Sequence, residues 1–440
     1  MSPGETTRRF RAFARRSHEV IVLAAVTGLI TGFVVAAFDW IVVDVLLDHL
    51  FELSPWVLAW MPLLGLVLSW LALRHVARSR DSGTTDLYLK AFHDPRQPLA
   101  MHELPGRALA AITTAGFGGA MGLEGGSLYY GAWVGSFLQR RFPRFTAGST
   151  RQVLMVAGAA AGVAAIFKAP ATGALFALEV PYKEDFARRM LLPALVASAV
   201  GYLAFVFVQG TTPLFAAHGS PPPLSFADLA GALALGVAAG LGARGFAFLL
   251  VTGKRLADNT GPWLRIVSAG LVLAGLFGIT WALTDRPIAI GVGYQTINWA
   301  LAPDRALWLL VAVLVVRCVA TATTVAASGV GGLFVPLVVA GALLGRAAVE
   351  VVGDANTTLF VVIGVAAFLG AGYRVPLAAV MFVAEATGKP GFIVPGLLAA
   401  VAATLVMGRA SVTTYQRSSV PGADPDPPAT PEPSGGPDRE

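Results

Sequence analysis

Gly122-Leu123-Glu124-Gly125-Gly126 and Gly332-Leu333-Phe334-Val335-Pro336 stand 210 residues apart, each loosening the backbone with glycine where an apolar stretch begins. Each motif is read as opening a helix. The first-turn N–H groups of a helix have no intrahelical partner, and such groups attract anions. The two copies differ at one charged position, because Glu124 falls on Phe334. A second pair repeats in the same order. Lys168-Ala169-Pro170 leads through Phe176 to Glu179, and Arg374-Val375-Pro376 leads through Phe382 to Glu385, every position 206 residues from its counterpart. Two motifs in one order at nearly one offset imply two homologous halves, with a four-residue deletion accounting for the drift.

These motifs lie in a chain of 440 residues that is 55% hydrophobic and 13% charged, with a mean hydropathy of +0.68. That balance fits a polytopic membrane protein. Long apolar runs occupy about 19–45, 56–76, 190–208, 226–252, 264–284 and 305–327. Shorter pieces, split by Gly and Pro, occupy 105–121, 124–138, 151–166, 170–180, 334–349, 357–372, 375–386 and 391–408. Pieces of this length are expected as broken or re-entrant helices packed inside protein, where irregular backbone can line a polar cavity. The expected fold class is an all-α polytopic membrane protein of about 16–18 helices, built from two inverted halves.

Charge orients the chain. Arg8, Arg9, Arg11, Arg15 and Arg16 precede the first span, which is read as an anchor with a cytoplasmic start. The expected organisation is a basic N-terminus (1–18), a first membrane repeat (19–209), a linker (210–229), a second inverted repeat (230–417) and a disordered cytoplasmic tail (418–440). The linker is rich in Pro and lacks Lys and Arg, which places it outside the cell. The first half then crosses an odd number of times, so half-helices of both repeats can aim their N-termini at one midplane point, each contributing roughly +0.5 charge. The net charge of +6 is loop and terminal arginine facing headgroups and cytosol, and does not indicate nucleic acid. Cys318 stands alone and the six His residues show no ligand spacing, so neither a disulfide, a metal site nor a cofactor is expected.

With these motifs in place, residues 20–417 resemble the CLC family of chloride channels and proton-coupled anion exchangers, in its form without a cytoplasmic regulatory domain. The family's G-[KR]-E-G-P element is similar to Gly122–Gly126, its G-x-F-x-P element is intact at Gly332–Pro336, and its G-S-G-I-P element resembles Asp81-Ser82-Gly83-Thr84-Thr85, with Thr84 and Thr85 in place of Ile and Pro. The resemblance implies a plasma-membrane homodimer with a separate pathway for chloride or a related anion in each subunit. It implies that Glu124 is the gate, entering an anion site when ionised and leaving it when protonated. Ser82, Gly83, Gly122, Leu123, Gly125, Leu333 and Phe334 are the implied anion-site residues, with a tyrosine hydroxyl that is Tyr415 or, in a stricter register, replaced by Thr413. Glu179 matches a structural carboxylate, and Glu385 is expected as its packing or capping counterpart. Val180 takes the position where the family's exchangers mostly carry an internal proton-accepting Glu. Valine carries no proton, which favours a passive channel over an exchanger; Glu184 and Asp185 are the nearby acids that could substitute.

Chloride or fluoride exchange for protons stays open, because Glu124 suits both modes. A membrane-embedded enzyme would need more than one buried acid, yet the chain shows no His-Glu-x-x-His helix, no second acid for a dyad and no Ser–His pairing in its spans. An enzyme is therefore not expected. A scaffold or receptor would have no use for two inverted half-helix motifs.

Overall fold

The computed structural model describes residues 3–94, 96–143, 152–212, 225–353 and 356–418, with side chains from residue 18 onward. The side chains of the basic N-terminus, the middle of the expected linker and nearly all of the expected tail thus lie outside the described residues. Sixteen helices of eight or more residues are described, eight on each side of the linker. The first eight are α1 (Pro3–Trp40), α2 (Met61–Leu71), α3 (Thr85–His93), α4 (Leu104–Gly116), α5 (Glu124–Arg141), α6 (Val153–Phe167), α7 (Pro170–Glu179) and α8 (Leu191–Gln209). The second eight are α9 (Phe226–Asp258), α10 (Pro262–Thr284), α11 (Tyr294–Leu301), α12 (Leu307–Ala326), α13 (Phe334–Val352), α14 (Thr357–Tyr373), α15 (Pro376–Thr387) and α16 (Ile393–Met407). Strands are absent among the described residues, apart from two isolated bridges.

Eight helical segments are long and apolar enough to cross a membrane. Six were expected. The two additions are Phe334–Val352 and Pro390–Met407. The first outgrows its apolar run because Glu350 pairs with Arg346 one turn earlier, so the charge does not end the helix. The second matches its expected run in length, because the 3₁₀ turn Pro390–Phe392 runs directly into the 15-residue α16 and brings the segment to 18 residues.

Two of the shorter helices, α6 and α14, are sheathed by protein. Every residue of α6 is buried, and so is every residue of α14 from Leu359 onward. A helix apolar on all sides belongs in such a core. Close packing around it needs bare backbone. A methyl at Gly131 of α5 would strike the carbonyl oxygen of Gly158 in α6, and the reverse holds for Gly158. Gly341 of α13 and Gly364 of α14 repeat this contact in the second half.

Helix ends repeat too. Lys168 (φ 52°) and Arg374 (φ 59°) terminate α6 and α14 in the left-handed region. The following N–H groups, of Ala169 and Val375, donate back to Ala164 O at 3.0 Å and Gly370 O at 2.9 Å. Pro170 and Pro376 then start α7 and α15, where a missing N–H costs nothing.

Candidate functional site

The two glycine motifs meet. Gly122 N donates to Gly332 O at 2.9 Å and Gly332 N donates to Gly122 O at 2.8 Å. The turns before them also pair reciprocally. Thr324 Oγ1 accepts from Ala120 N at 3.3 Å, and Thr114 Oγ1 accepts from Val330 N at 3.0 Å. Each of these residues has its counterpart 210 positions away. The loops ahead of α5 and α13 are therefore stitched together backbone to backbone, and the first turns of both helices start from one point.

Glu124 opens α5, yet its carboxylate serves the other half. Oε1 accepts from Phe334 N, the first N–H of α13, at 2.5 Å. The residue is 2% exposed, and Oε2 is buried with no hydrogen-bond partner. A carboxylate inside a membrane protein costs roughly 2.5–3.5 kcal/mol even on the lenient insertion scale. Here the positive end of α13 offsets part of that cost. Gly122 and Gly332 are required beside it, since a Cβ at either position would run into the carboxylate. Phe334 contributes its N–H. Its ring is fully buried among Phe167 (4.2 Å), Phe382 (4.9 Å) and Phe176 (5.4 Å).

A polar cavity of ≈ 430 Å³ ends against these loops at Gly331, Gly332 and Leu333. Ser82, Gly83, Thr413 and Tyr415 all line it. The loop carrying Ser82 is held by Arg107, 1% exposed, which donates to Gly83 O (3.1 Å), Ser79 Oγ (3.0 Å) and Glu103 Oε2 (2.7 Å). Thr84 Oγ1 donates to Gly331 O at 2.9 Å, joining that loop to the second glycine motif. Gly125 packs beneath this contact, its missing Cβ 2.5 Å from Thr84 Oγ1. Leu123, 1% exposed, accepts from Ser127 N and Ser127 Oγ at 3.1 Å each, forming the first turn of α5.

Charges of both signs ring the cavity. Lys90 pairs with Asp81 at 3.3 Å, and Lys254 with Asp86 at 3.7 Å. Burial would raise the Asp81 carboxyl, but the Gly83 N–H, Lys90 and Arg107 outweigh it and hold the group below its ordinary 3.8. Burial likewise opposes the charge on Lys90, and Tyr415 and Asp81 overcome it, so its pKa lies above the ordinary 10.5. Arg80 and Arg265 also line the wall.

Three hydroxyl-bearing residues, Tyr415, Thr413 and Tyr373, line the cavity near the α13 N-terminus. Tyr415 is half-buried, with Lys90 Nζ 4.3 Å from its ring centroid. Thr413 Oγ1 bonds to Ser411 Oγ at 3.0 Å. Neither bonds to the α13 N-terminus. Tyr373 does: its hydroxyl accepts from Leu333 N at 3.2 Å, and the residue lines the cavity while 1% exposed. Sequence reasoning passed over Tyr373. A signal was available, since it stands immediately before Arg374-Val375-Pro376 and aligns with Phe167 in the first half.

The second repeat motif forms a crossed pair. Glu179 Oε1 and Oε2 accept from Leu377 N (3.2 Å) and Ala378 N (3.0 Å) at the start of α15. Glu385 accepts from Ala171 N (2.8 Å), Thr172 N (2.8 Å) and Thr172 Oγ1 (2.6 Å) at the start of α7. Each carboxylate caps the helix of the opposite half. Val180 is fully buried, and its carbonyl accepts from Gln416 Nε2 at 2.9 Å. Glu184 lies apart from the cavity, 3.9 Å from Arg374 and 2.7 Å from Ser418 Oγ. Asp185 pairs with exposed Arg188 at 3.4 Å. No group of three or more His, Cys, Asp or Glu stands together as a metal site among the described residues.

The profile of the family described as "Voltage gated chloride channel" matches residues 64–408. The H(+)/Cl(-) exchange transporter ClcA of Salmonella arizonae is 27% identical over 434 residues, covering 92% of this chain and 88% of that one. ClcA of Klebsiella pneumoniae matches to the same extent. Among solved structures, a slow cyanobacterial Cl⁻/H⁺ antiporter superposes with a TM-score of 0.78 at 21% identity, over 88% of this chain and 94% of its own. A CLC-type fluoride/proton antiporter gives 0.79 at 21% identity, over 91% and 98%. With this profile match, the broken-helix architecture and the crossed halves, the chain belongs to the CLC family of voltage-gated chloride channels, multi-pass membrane proteins that transport anions.

Proposed function

We propose that this protein carries chloride or a related small anion through the junction of the α5 and α13 N-termini, and that Glu124 is the plug. The observation behind this reading is the bond from Phe334 N to Glu124 Oε1 at 2.5 Å. A carboxylate resting on the N-terminus of a helix from the other half occupies the ground an anion would take. Protonation removes its charge and with it the reason to stay. The cavity carrying Arg80, Lys90, Lys254 and Arg265 then leads anions to the junction. Tyr373 supplies the hydroxyl there in our reading. Its oxygen accepts from Leu333 N and its hydroxyl also meets the Thr85 hydroxyl in the cavity wall, so its O–H would turn from there toward an ion. Ser82 stands on the opposite loop as a second donor.

We favour passive conduction, since Val180 places hydrocarbon at the inner end of α7 and Glu184 and Asp185 are engaged elsewhere. Proton-coupled exchange is the second reading, supported by relatives named as H(+)/Cl(-) exchangers and by a neighbour named as a fluoride/proton antiporter. Its protons would reach Glu124 through the cavity. Purified protein in proteoliposomes, with flux and internal pH recorded together, decides. A passive pathway reverses at the Nernst potential of the anion, whereas an exchanger's reversal potential moves with the pH gradient. Absence of anion flux at every pH would overturn both. We further infer a plasma-membrane homodimer with cytoplasmic termini, so that the cavity opens inward; cross-linking and single-site labelling test this.

A further inference from the structure

Arg265, near the start of α10, lines two cavities. One is the polar cavity already described; the other is a groove of ≈ 290 Å³ among α9, α10 and α12. The groove's walls are apolar, with Leu249, Leu256, Val272 and Val319 prominent. Arg265 Nε is buried and has no hydrogen-bond partner. A buried donor in this state is costly, and more so when charged. The hydroxyls nearby do not relieve it. Thr260 Oγ1 donates to Ala257 O at 2.9 Å and Ser268 Oγ to Arg265 O at 3.1 Å.

The depth of the groove follows from its neighbours. Trp263, two residues before Arg265, is 55% exposed and packs at 5.0 Å on Trp70, which in turn holds Arg74 at 5.4 Å. Exposed tryptophan beside arginine marks the headgroup level. From there α9 carries the groove inward, Leu249 lying roughly 13 Å along the helix from Asp258. Phe248 and Leu271, 72% and 54% exposed, flank it with hydrocarbon. The result is a cation at headgroup depth above an apolar slot.

We propose that this groove binds an anionic phospholipid, with its phosphate on Arg265 and one acyl chain against Leu249, Leu256, Val272 and Val319. A soluble phosphate would satisfy the guanidinium but leave the slot unused; a zwitterionic lipid would fill the slot but bring its own cation. Arg265 also faces the cavity, so a bound phosphate cancels one positive charge there and slows anion flux. That second effect rests on the transport reading above, whereas lipid binding does not.

The full chain, purified with lipid, is examined by native mass spectrometry against phosphatidylglycerol and phosphatidylcholine. A charge-assisted contact predicts about tenfold preferential retention of phosphatidylglycerol. Arg265→Gln loses the preference. Val272→Trp, a change on the 44% exposed rim, loses retention with the charge intact, and serves if the first variant does not fold. In vesicles, adding phosphatidylglycerol lowers wild-type flux about threefold more than Arg265→Gln flux, the Boltzmann factor for a unit charge acting across ~6 Å of water. Equal retention of both lipids, or a preference that survives both substitutions, overturns the proposal. So does displacement of the lipid by excess inorganic phosphate, which would make the ligand a soluble oxyanion. Lipid selectivity without anion flux would instead refute the transport reading alone.

Discussion

Replacing Glu124 by Gln removes a charge while keeping shape and one carbonyl oxygen. The contact from Phe334 N at 2.5 Å is charge-assisted, and such bonds contribute about 1.5–3 kcal/mol. The amide oxygen keeps roughly half of that. Loss of the charge also removes about 0.5–1 kcal/mol of attraction to the α13 dipole. The plug should therefore loosen by about 1.25–2.5 kcal/mol, or roughly eight- to seventyfold in the ratio of seated to released side chain. In the variant an uncharged NH2 stands where Oε2 lies buried and unpartnered. Anion efflux from proteoliposomes, measured across pH with chloride binding by calorimetry, provides the assay. Wild-type flux should rise as pH falls, and Glu124→Gln should be fast and flat. The cavity does not confuse the reading: Asp81 stays ionised above its ordinary 3.8 and Lys90 stays charged below its ordinary 10.5. A Glu124→Gln protein with the wild-type pH profile, or with unchanged chloride affinity, would refute the reasoning.

Other substitutions separate transport groups from structural ones. Tyr373→Phe strands Leu333 N and removes the proposed anion donor, so anion affinity should fall about five- to tenfold, for ~1–1.5 kcal/mol; Tyr415→Phe should leave calorimetric affinity within about twofold, since its ring stays over Lys90 and its hydroxyl serves Lys90 and not the α13 N-terminus. Glu385→Ala uncaps α7 and should cost about 1–2 kcal/mol of stability in denaturant titration, while the flux that remains keeps its wild-type pH profile. Gly158→Ala drives a methyl into Gly131 O and should destabilise the fold by about 1–3 kcal/mol, seen as a lowered midpoint of thermal aggregation.

What could be read from the sequence was what the chain says twice. The glycine motifs and the Pro-to-Glu helices are local signatures, and their repetition fixed both the two halves and the burial of the short helices. Glu124 stood out because an acid among glycines and hydrocarbon has no ordinary use. Span length was less legible, because the apolar run stops at residue 349 while the pairing of Glu350 with Arg346 lets the helix continue to Val352. Arg107 was missed because the ligands it gathers, Ser79, Gly83 and Glu103, are set by the fold and not by spacing alone. Tyr373 was missed for a different reason: its counterpart Phe167 carries no hydroxyl, so symmetry hid it. Phe334 was expected to line the site, yet the side of a helix start on which a ring falls depends on the aromatic cluster that receives it.

Three carboxylates in this fold each sit on a helix N-terminus of the opposite half, and only Glu124 is proposed as a plug. The difference lies in satisfaction. Glu179 engages two amides with its two oxygens, and Glu385 engages two amides and a hydroxyl. Both are fully paired, and pulling either away would orphan two amides at a helix start, at about 1–3 kcal/mol each. Glu124 takes its close bond from the Phe334 amide on Oε1, with its own N–H and that of Val335 also near the carboxylate, and leaves Oε2 buried and unpaired. The cost of that oxygen, about 1–3 kcal/mol, is comparable to the gain from the bond that Oε1 makes. Its seat is therefore nearly balanced, and a proton or a competing anion can tip it. Symmetry supplies no second plug, because position 334 is phenylalanine. The same helix-end chemistry thus locks the halves together at residues 179 and 385 and leaves the junction between them open to exchange at residue 124.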